Sequence, residues 1–198
     1  MAIFWLAFIW SGLQPKDQFT WFLEVLPAAL GFVALVISRR SFPLTPLTYG
    51  LILIHCLILM IGGHYTYAEV PFFDQIGHFF GSTRNNYDKL GHFAQGLVPA
   101  IIAREIIIRK QVITGRGIWQ GFFVICFCLA FSAFYELIEW WVALASGEDA
   151  EAFLGTQGYI WDTQSDMAMA LLGAIGSCLL LKPWHDRQLA RLSSAKEH

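Results

Sequence analysis

The amino-acid sequence predicts an all-α, polytopic transmembrane helix bundle with five full spans and a short N-terminal helix. Two features of its composition indicate this class. The chain of 198 residues is 56% hydrophobic, and only 14% of its residues are Asp, Glu, Lys or Arg, against about 25% in a soluble domain. The charges also fall in short segments between long apolar runs, which is typical of membrane proteins. This pattern excludes nucleic acid as a partner and makes the lipid bilayer the expected surroundings.

Five apolar runs are long enough for a helical span, which needs about 20 mostly apolar residues. They cover residues 19–37, 46–63, 90–108, 117–142 and 160–181. The run 1–13 is shorter and lacks the basic start of a secretory signal, so we expect a short or tilted first helix. Helix breakers separate the runs, and we expect the last helix to end at Lys182 and Pro183. The sequence therefore predicts a single integral membrane domain over residues 1–198.

The basic residues predict the orientation, because cytoplasmic loops carry an excess of Lys and Arg. If the spans alternate in direction, ten of the thirteen basic residues lie on one side, which we assign to the cytoplasm. These ten are Arg39, Arg40, Arg104, Arg109, Lys110, Arg116, Lys182, Arg187, Arg191 and Lys196. Both termini are then cytoplasmic if the short first helix also crosses the membrane, and the loops 62–86 and 146–158 lie outside.

Acidic and histidine side chains occur at a similar depth in four spans. Counted at about 1.5 Å per residue from the outer helix ends, seven of these side chains lie at the outer ends or within roughly two turns of them. They are Glu24, Asp88, His92, Glu136, Glu139, Asp162 and Asp166. A carboxylate in the hydrocarbon region costs about 2.5 to 3.5 kcal/mol. Several at one depth are best explained if they face one another or a shared aqueous cavity, so we expect one polar site.

The spacing within the helices agrees with a shared site. Asp88 and His92 are four residues apart, as are Asp162 and Asp166, so each pair lies on one helix face. Simpler explanations stay open. Asp88 and Asp162 begin helices and can be favoured there by the helix dipole alone. Glu139 can extend its carboxylate to the membrane–water interface.

Other polar and small residues allow two interpretations each. His55, midway along its span, is either a packing residue or a proton relay. Aromatic residues at the outer end of the same span are either interfacial or part of the site; they are His64, Tyr65 and Tyr67. A set of small residues predicts a close helix-packing face: Ala170, Gly173, Ala174, Gly176 and Ser177.

Three segments resemble the YjdF family of bacterial inner-membrane proteins. Residues 87–93 read YDKLGHF, residues 135–140 read YELIEW, and residues 161–167 read WDTQSDM before Gly173. The resemblance spans most of the chain. It implies a multi-pass protein of the bacterial inner membrane.

The same order of motifs is more distantly similar to VanZ-type membrane proteins. This chain departs from their pattern, with Glu139 where those proteins usually carry Gln and with no Arg in the loop 146–158. The similarity therefore implies a shared scaffold and not a shared activity.

Three classes of function fit these residues. The first is a membrane-embedded enzyme acting on a lipid-linked or periplasmic substrate. Its candidate catalytic residues are Asp88, His92, Glu136, Glu139, Asp162 and Asp166. The second is a proton-coupled transporter, channel or small-molecule binding protein, because buried acids mark ion paths. The third is a structural or regulatory partner of another membrane protein, whose identity the sequence does not indicate. Further candidate site residues are Glu24, His64, Tyr65, Tyr87 and Gln164.

A divalent metal is a possible cofactor, because crowded carboxylates need a neutralising charge. The candidate ligands are Asp88, His92, Glu136, Asp162 and Asp166, whose oxygen atoms and single imidazole suit Mg, Mn or Zn. The alternative is that the acids share protons without a metal.

Overall fold

The computed structural model describes residues 1–79, 81, 84–114, 117–146, 154 and 156–194. Most of the predicted outer loop 146–158 lies outside these residues, as do Arg116 and Lys196. The helices are α1 (Ala2–Gly12), α2 (Gln18–Ser38), α3 (Pro46–His64), α4 (Phe73–Phe79), α5 (Tyr87–Arg109), α6 (Ile118–Ser146), α7 (Asp162–Gly176) and α8 (Lys182–Ser194). A π-helical segment, Ser177–Leu181, joins α7 to α8.

Five helices are long and apolar enough to cross a membrane. They are Gln18–Ser38, Pro46–His64, Tyr87–Arg109, Ile118–Ser146 and the continuous helix Asp162–Leu192. The N-terminal helix α1 is apolar but shorter. The predicted fold class, a polytopic helix bundle with five full spans and a short first helix, is therefore confirmed.

The predicted end of the last helix is wrong. The chain stays helical through Lys182 and Pro183 as far as Ser194. A proline inside a helix removes one backbone donor and crowds the carbonyl four residues earlier. Here the wider π-helical turn of Ser177–Leu181 ends two residues before the proline and changes the hydrogen-bonding pattern at that point. The predicted outer loop 62–86 also contains a short helix, α4.

Helix α5 is the centre of the bundle. In its most apolar window 61% of the residues are buried, against 22% to 28% in the other four spans. It packs against α3, α6 and α7, whereas α2 packs mainly against α3. This position explains why a helix rich in polar residues can cross the bundle, because its polar side chains face protein and not lipid.

The backbones of α5 and α7 are in direct contact. A Cβ atom on Gly96 would overlap the backbone of Ala170, and one on Gly173 would overlap the carbonyl of Phe93. The predicted close-packing face is therefore confirmed at Gly173. It is wrong at Gly176, where a Cβ atom would meet nothing within 4 Å. This contact sets the distance between the two helices that carry the aspartates of the predicted site.

A strained turn follows α3 and directs Tyr67 into the bundle. Thr66 and Tyr67 have positive φ angles of 57° and 56°, which are uncommon for residues other than glycine. The Tyr67 ring lies so close to Gly62 and Gly91 that a side chain at Gly62 would overlap it. Tyr67 is thus held between α3 and α5.

A second buried polar cluster ties α3, α5 and α8 together near the opposite end of α5. Its centre is Glu105, which is fully buried. The carboxylate accepts hydrogen bonds from the backbone and side chain of Thr45 at 3.0 Å and from Thr48 at 2.8 Å. Arg109 lies 2.7 Å away, and His185 Nε2 lies 3.2 Å away. Glu105 is not among the site residues that the sequence predicts.

Candidate functional site

The predicted site residues come from four helices. Asp88 and His92 belong to the first two turns of α5 and share one of its faces. Helices α2, α6 and α7 supply the others. We call the following residues the acidic cluster: Glu24, Asp88, His92, Glu136, Glu139, Asp162 and Asp166.

His92 lies at the centre of the acidic cluster. Its Nε2 atom is 3.4 Å from Asp88 Oδ1. Its Nδ1 atom is 3.0 Å from Gln95 Oε1 and 3.8 Å from Glu136 Oε1. A neutral imidazole has one N–H group and can donate on one side only. With oxygen acceptors facing both nitrogens, the second side needs a further proton or another cation.

Two basic residues neutralise part of the acidic cluster. Arg84 forms an ion pair with Asp162 and lies 3.5 Å from Asp88 Oδ2, the oxygen that does not face His92. Lys89 Nζ lies 3.0 Å from Asp166 Oδ1. The Arg84 and Lys89 side chains are only 10% and 20% exposed. Both bases lie between the predicted spans in the sequence, and the structure brings both into contact with the cluster.

Three side chains of the acidic cluster are close enough to hold one ion: Asp88, His92 and Asp166. Their ligand atoms all lie within 4.8 Å of one another. Glu136 is outside this group, but its Oε1 atom is buried without a hydrogen-bond partner and faces His92 at 3.8 Å. The fifth predicted ligand, Asp162, is paired with Arg84 instead.

A cavity of about 710 Å³ begins at the acidic cluster and lies between α2, α3, α5 and α6. Its polar end is lined by Glu24, Tyr67, Asp88, His92, Tyr135 and Glu139. From there it is lined mainly by apolar side chains and extends to Phe42 and Leu44, in the connection between α2 and α3. Helix α2 packs mainly on α3, and α6 packs on α5 and α7. Helices α2 and α6 thus both line the cavity, although each packs mainly against other helices.

Tyr67 is the site residue that the sequence indicated least clearly. It lines the cavity and interacts with Glu24. Burial raises the pKa of the Tyr67 hydroxyl well above its usual value, so the group stays protonated and can donate a hydrogen bond. Its aromatic character and place at a helix end were visible in the sequence, but the turn that directs it inward was not.

Four further candidates lie away from the acidic cluster. His64 Nδ1 is 3.0 Å from the carbonyl oxygen of Ser11, and Tyr65 packs edge-on against the His64 ring. The hydroxyl of Tyr87 donates a hydrogen bond of 3.0 Å to a backbone carbonyl of α3. Gln164 is exposed. The first three therefore hold neighbouring segments together, and the fourth faces outward.

Comparison with known proteins agrees with the membrane fold. A family described as "Predicted membrane protein (DUF2238)" matches residues 1–187. Over 186 residues the chain is 52% identical to the inner membrane protein YjdF of Escherichia coli (strain K12). The matched region is 94% of this chain and 88% of that protein. No solved structure matches the chain. The predicted resemblance to the YjdF family is thereby confirmed, and the chain belongs to this family of multi-pass bacterial inner-membrane proteins.

Proposed function

We propose that this chain is a membrane-embedded enzyme that performs acid–base chemistry on a lipid-linked substrate. The observation that carries the proposal is the cavity, whose long wall is apolar and whose polar end contains His92 and Asp88. A hydrocarbon chain can enter from the bilayer between α2 and α6. The polar group of the same molecule then lies against the acidic cluster, as expected for a binding pocket with a few polar groups at one end.

In the metal-free site, His92 is the proposed acid and base. Its Nδ1 side is occupied by Gln95, and its Nε2 atom lies 3.4 Å from Asp88 Oδ1. A carboxylate beside an imidazole orients the ring and stabilises its protonated form, which is the arrangement that general acid–base catalysis uses. Glu136 and Glu139 lie on the neighbouring helix and can accept or supply a second proton.

A divalent cation is the proposed cofactor, held by Asp88, His92 and Asp166 with Glu136 as a further ligand. With the ion bound, His92 would be a ligand, and Glu139, which also lines the cavity, would be the acid and base. Two observations support it: ligand atoms within 4.8 Å of one another, and a buried Glu136 oxygen without a hydrogen-bond partner. Such an ion would polarise an oxygen of the substrate. The alternative in which the acids share protons alone differs in one measurable property, the metal content.

The enzyme is tested by comparing the lipids of cells that express the wild-type protein, the His92→Gln variant or neither. We expect at least one lipid-linked species to change in abundance with the wild type. The change should be slowed roughly 100-fold or more in the variant, because a general acid–base residue contributes about 10² to 10⁴ in rate. Mass spectrometry of extracted membranes measures this.

The matched control is His78→Gln, which alters an exposed histidine of α4 outside the cavity lining. It should behave as the wild type. Equal lipid changes with the wild type and His92→Gln, at equal amounts of membrane-inserted protein, would show that His92 performs no chemistry.

A proton-coupled carrier is the second candidate, and one observation favours it. The cavity reaches from the acidic cluster to the opposite end of α2. His55 lines the cavity between these two ends. A titratable group on a path across the bundle suits proton transfer. Proton uptake by vesicles that is lost in His55→Gln, with membrane lipids unchanged by the wild type, would favour the carrier over the enzyme.

We further propose that both termini are cytoplasmic and that the acidic cluster lies on the periplasmic side. The bias of the basic residues supports this orientation. Reporter fusions after Arg40 and after Leu192 should be active only with a cytoplasmic reporter, and fusions after Tyr67 only with a periplasmic one. Activity of a periplasmic reporter after Leu192 would reverse the orientation of the site.

A further inference from the structure

We propose that the cavity binds a single-chain amphiphile with a positively charged headgroup, which pairs with Glu24 and Glu139. This inference rests on the proposed function in one respect, that an amphiphile occupies the cavity. It goes further by naming the charge of the headgroup and the residues that recognise it.

The distribution of ion pairs in the acidic cluster is uneven. Asp88 and Asp162 contact Arg84, and Asp166 contacts Lys89. Glu24 and Glu139 have no ion pair with Lys or Arg among the residues that the structure describes, although both line the cavity. Glu24 is only 6% exposed. A carboxylate that is removed from water without an opposite charge is unfavourable, so a cation in the cavity would stabilise the buried Glu24 and the half-buried Glu139.

Two tyrosines complete a binding site for such a cation. The Tyr135 hydroxyl lies 3.5 Å from Glu24 Oε2, and Tyr67 interacts with the same carboxylate. Aromatic rings beside carboxylates are the usual surroundings of bound ammonium groups, because the ring faces also attract cations. An anionic headgroup at this position would be repelled by both glutamates.

The rest of the cavity fits one hydrocarbon chain. Its lining follows α2 from Glu24 to Ser38, a distance of about 21 Å at 1.5 Å per residue. This exceeds half of the bilayer's hydrocarbon core, which is roughly 15 Å. A volume of about 710 Å³ drawn out over that length is narrow, so the cavity fits an extended single chain.

The test uses two photoactivatable probes with the same chain, hexadecylamine and hexadecanoic acid, each carrying a diazirine in the chain. The full-length protein in vesicles of neutral lipid is labelled, and the modified peptides are identified by mass spectrometry. We expect the amine to label α2 and α6. Labelling by the acid should be at least tenfold weaker, because Glu24 and Glu139 attract an ammonium group and repel a second carboxylate.

Two variants separate the headgroup from the chain. Glu24→Gln/Glu139→Gln should lower amine labelling roughly tenfold and remove the preference for the amine. Gly31→Leu should reduce labelling by both probes, because Gly31 lines the cavity and a Cβ atom there meets nothing within 4 Å. Its control is Gly50→Leu, at an equally open position outside the lining. Gel filtration and the Gly50→Leu result identify any variant that fails to fold.

The result that would overturn the inference is equal labelling by the amine and the acid, or amine labelling that is unchanged in the double variant. Failure of the proposed enzyme is a separate outcome. In that case His92→Gln has no effect on membrane lipids while the amine still labels the cavity. If neither probe labels α2 or α6 in the wild type, the amphiphile site itself is absent.

Discussion

Glu105→Ala is expected to lower the free energy of unfolding by about 3 to 5 kcal/mol, the usual cost of removing one partner from a buried ionic group. The carboxylate is fully buried and accepts hydrogen bonds from Thr45 and Thr48. Its removal leaves the guanidinium of Arg109 and the ring of His185 facing a gap. Since these groups belong to α3, α5 and α8, the contacts among all three helices weaken together.

Reversible unfolding in mixed micelles, followed by circular dichroism, measures this loss. Glu69→Ala is the matched control, because that acid is exposed and forms only a surface ion pair with Lys16; its unfolding should match that of the wild type. Glu105→Gln should be less harmful than Glu105→Ala, because the amide oxygen can still accept from Thr48. A loss below about 1 kcal/mol in Glu105→Ala, the net value of one ordinary hydrogen bond, would mean that the cluster does not stabilise the bundle.

Purified wild-type protein is expected to contain one divalent cation per chain, and Asp88→Asn/Asp166→Asn is expected to contain none. The double variant removes both carboxylates of the group whose ligand atoms lie within 4.8 Å. It leaves His92 alone on a site that needs several ligands. Elemental analysis after gel filtration gives the metal content directly.

Glu69→Gln/Asp74→Asn removes the same charge from two exposed acids outside the acidic cluster, and it should keep the metal. The proposal fails if the wild type holds no metal even after exposure to Mg, Mn and Zn at neutral pH. The acids would then share protons, and the proton-coupled carrier would become the better candidate.

The sequence alone determined the fold class and predicted the residues of the candidate site. Hydropathy is a local property, because each residue faces either lipid or protein and the bilayer sets a minimum span length. The spans were therefore predictable to within a few residues at most ends. The same reasoning selected Asp88, His92 and Asp166, since carboxylates at one depth in an apolar bundle have few favourable arrangements.

Only the tertiary structure decided which side chains meet. Three features depend on which helix faces lie together. They are the pairing of Arg84 with Asp162, the burial of Glu105 beside His185, and the inward turn of Tyr67. That choice follows from long-range packing, such as the backbone contact at Gly96, which a local pattern does not encode. The cavity has the same origin, because it forms where α2 and α6 each pack against other helices.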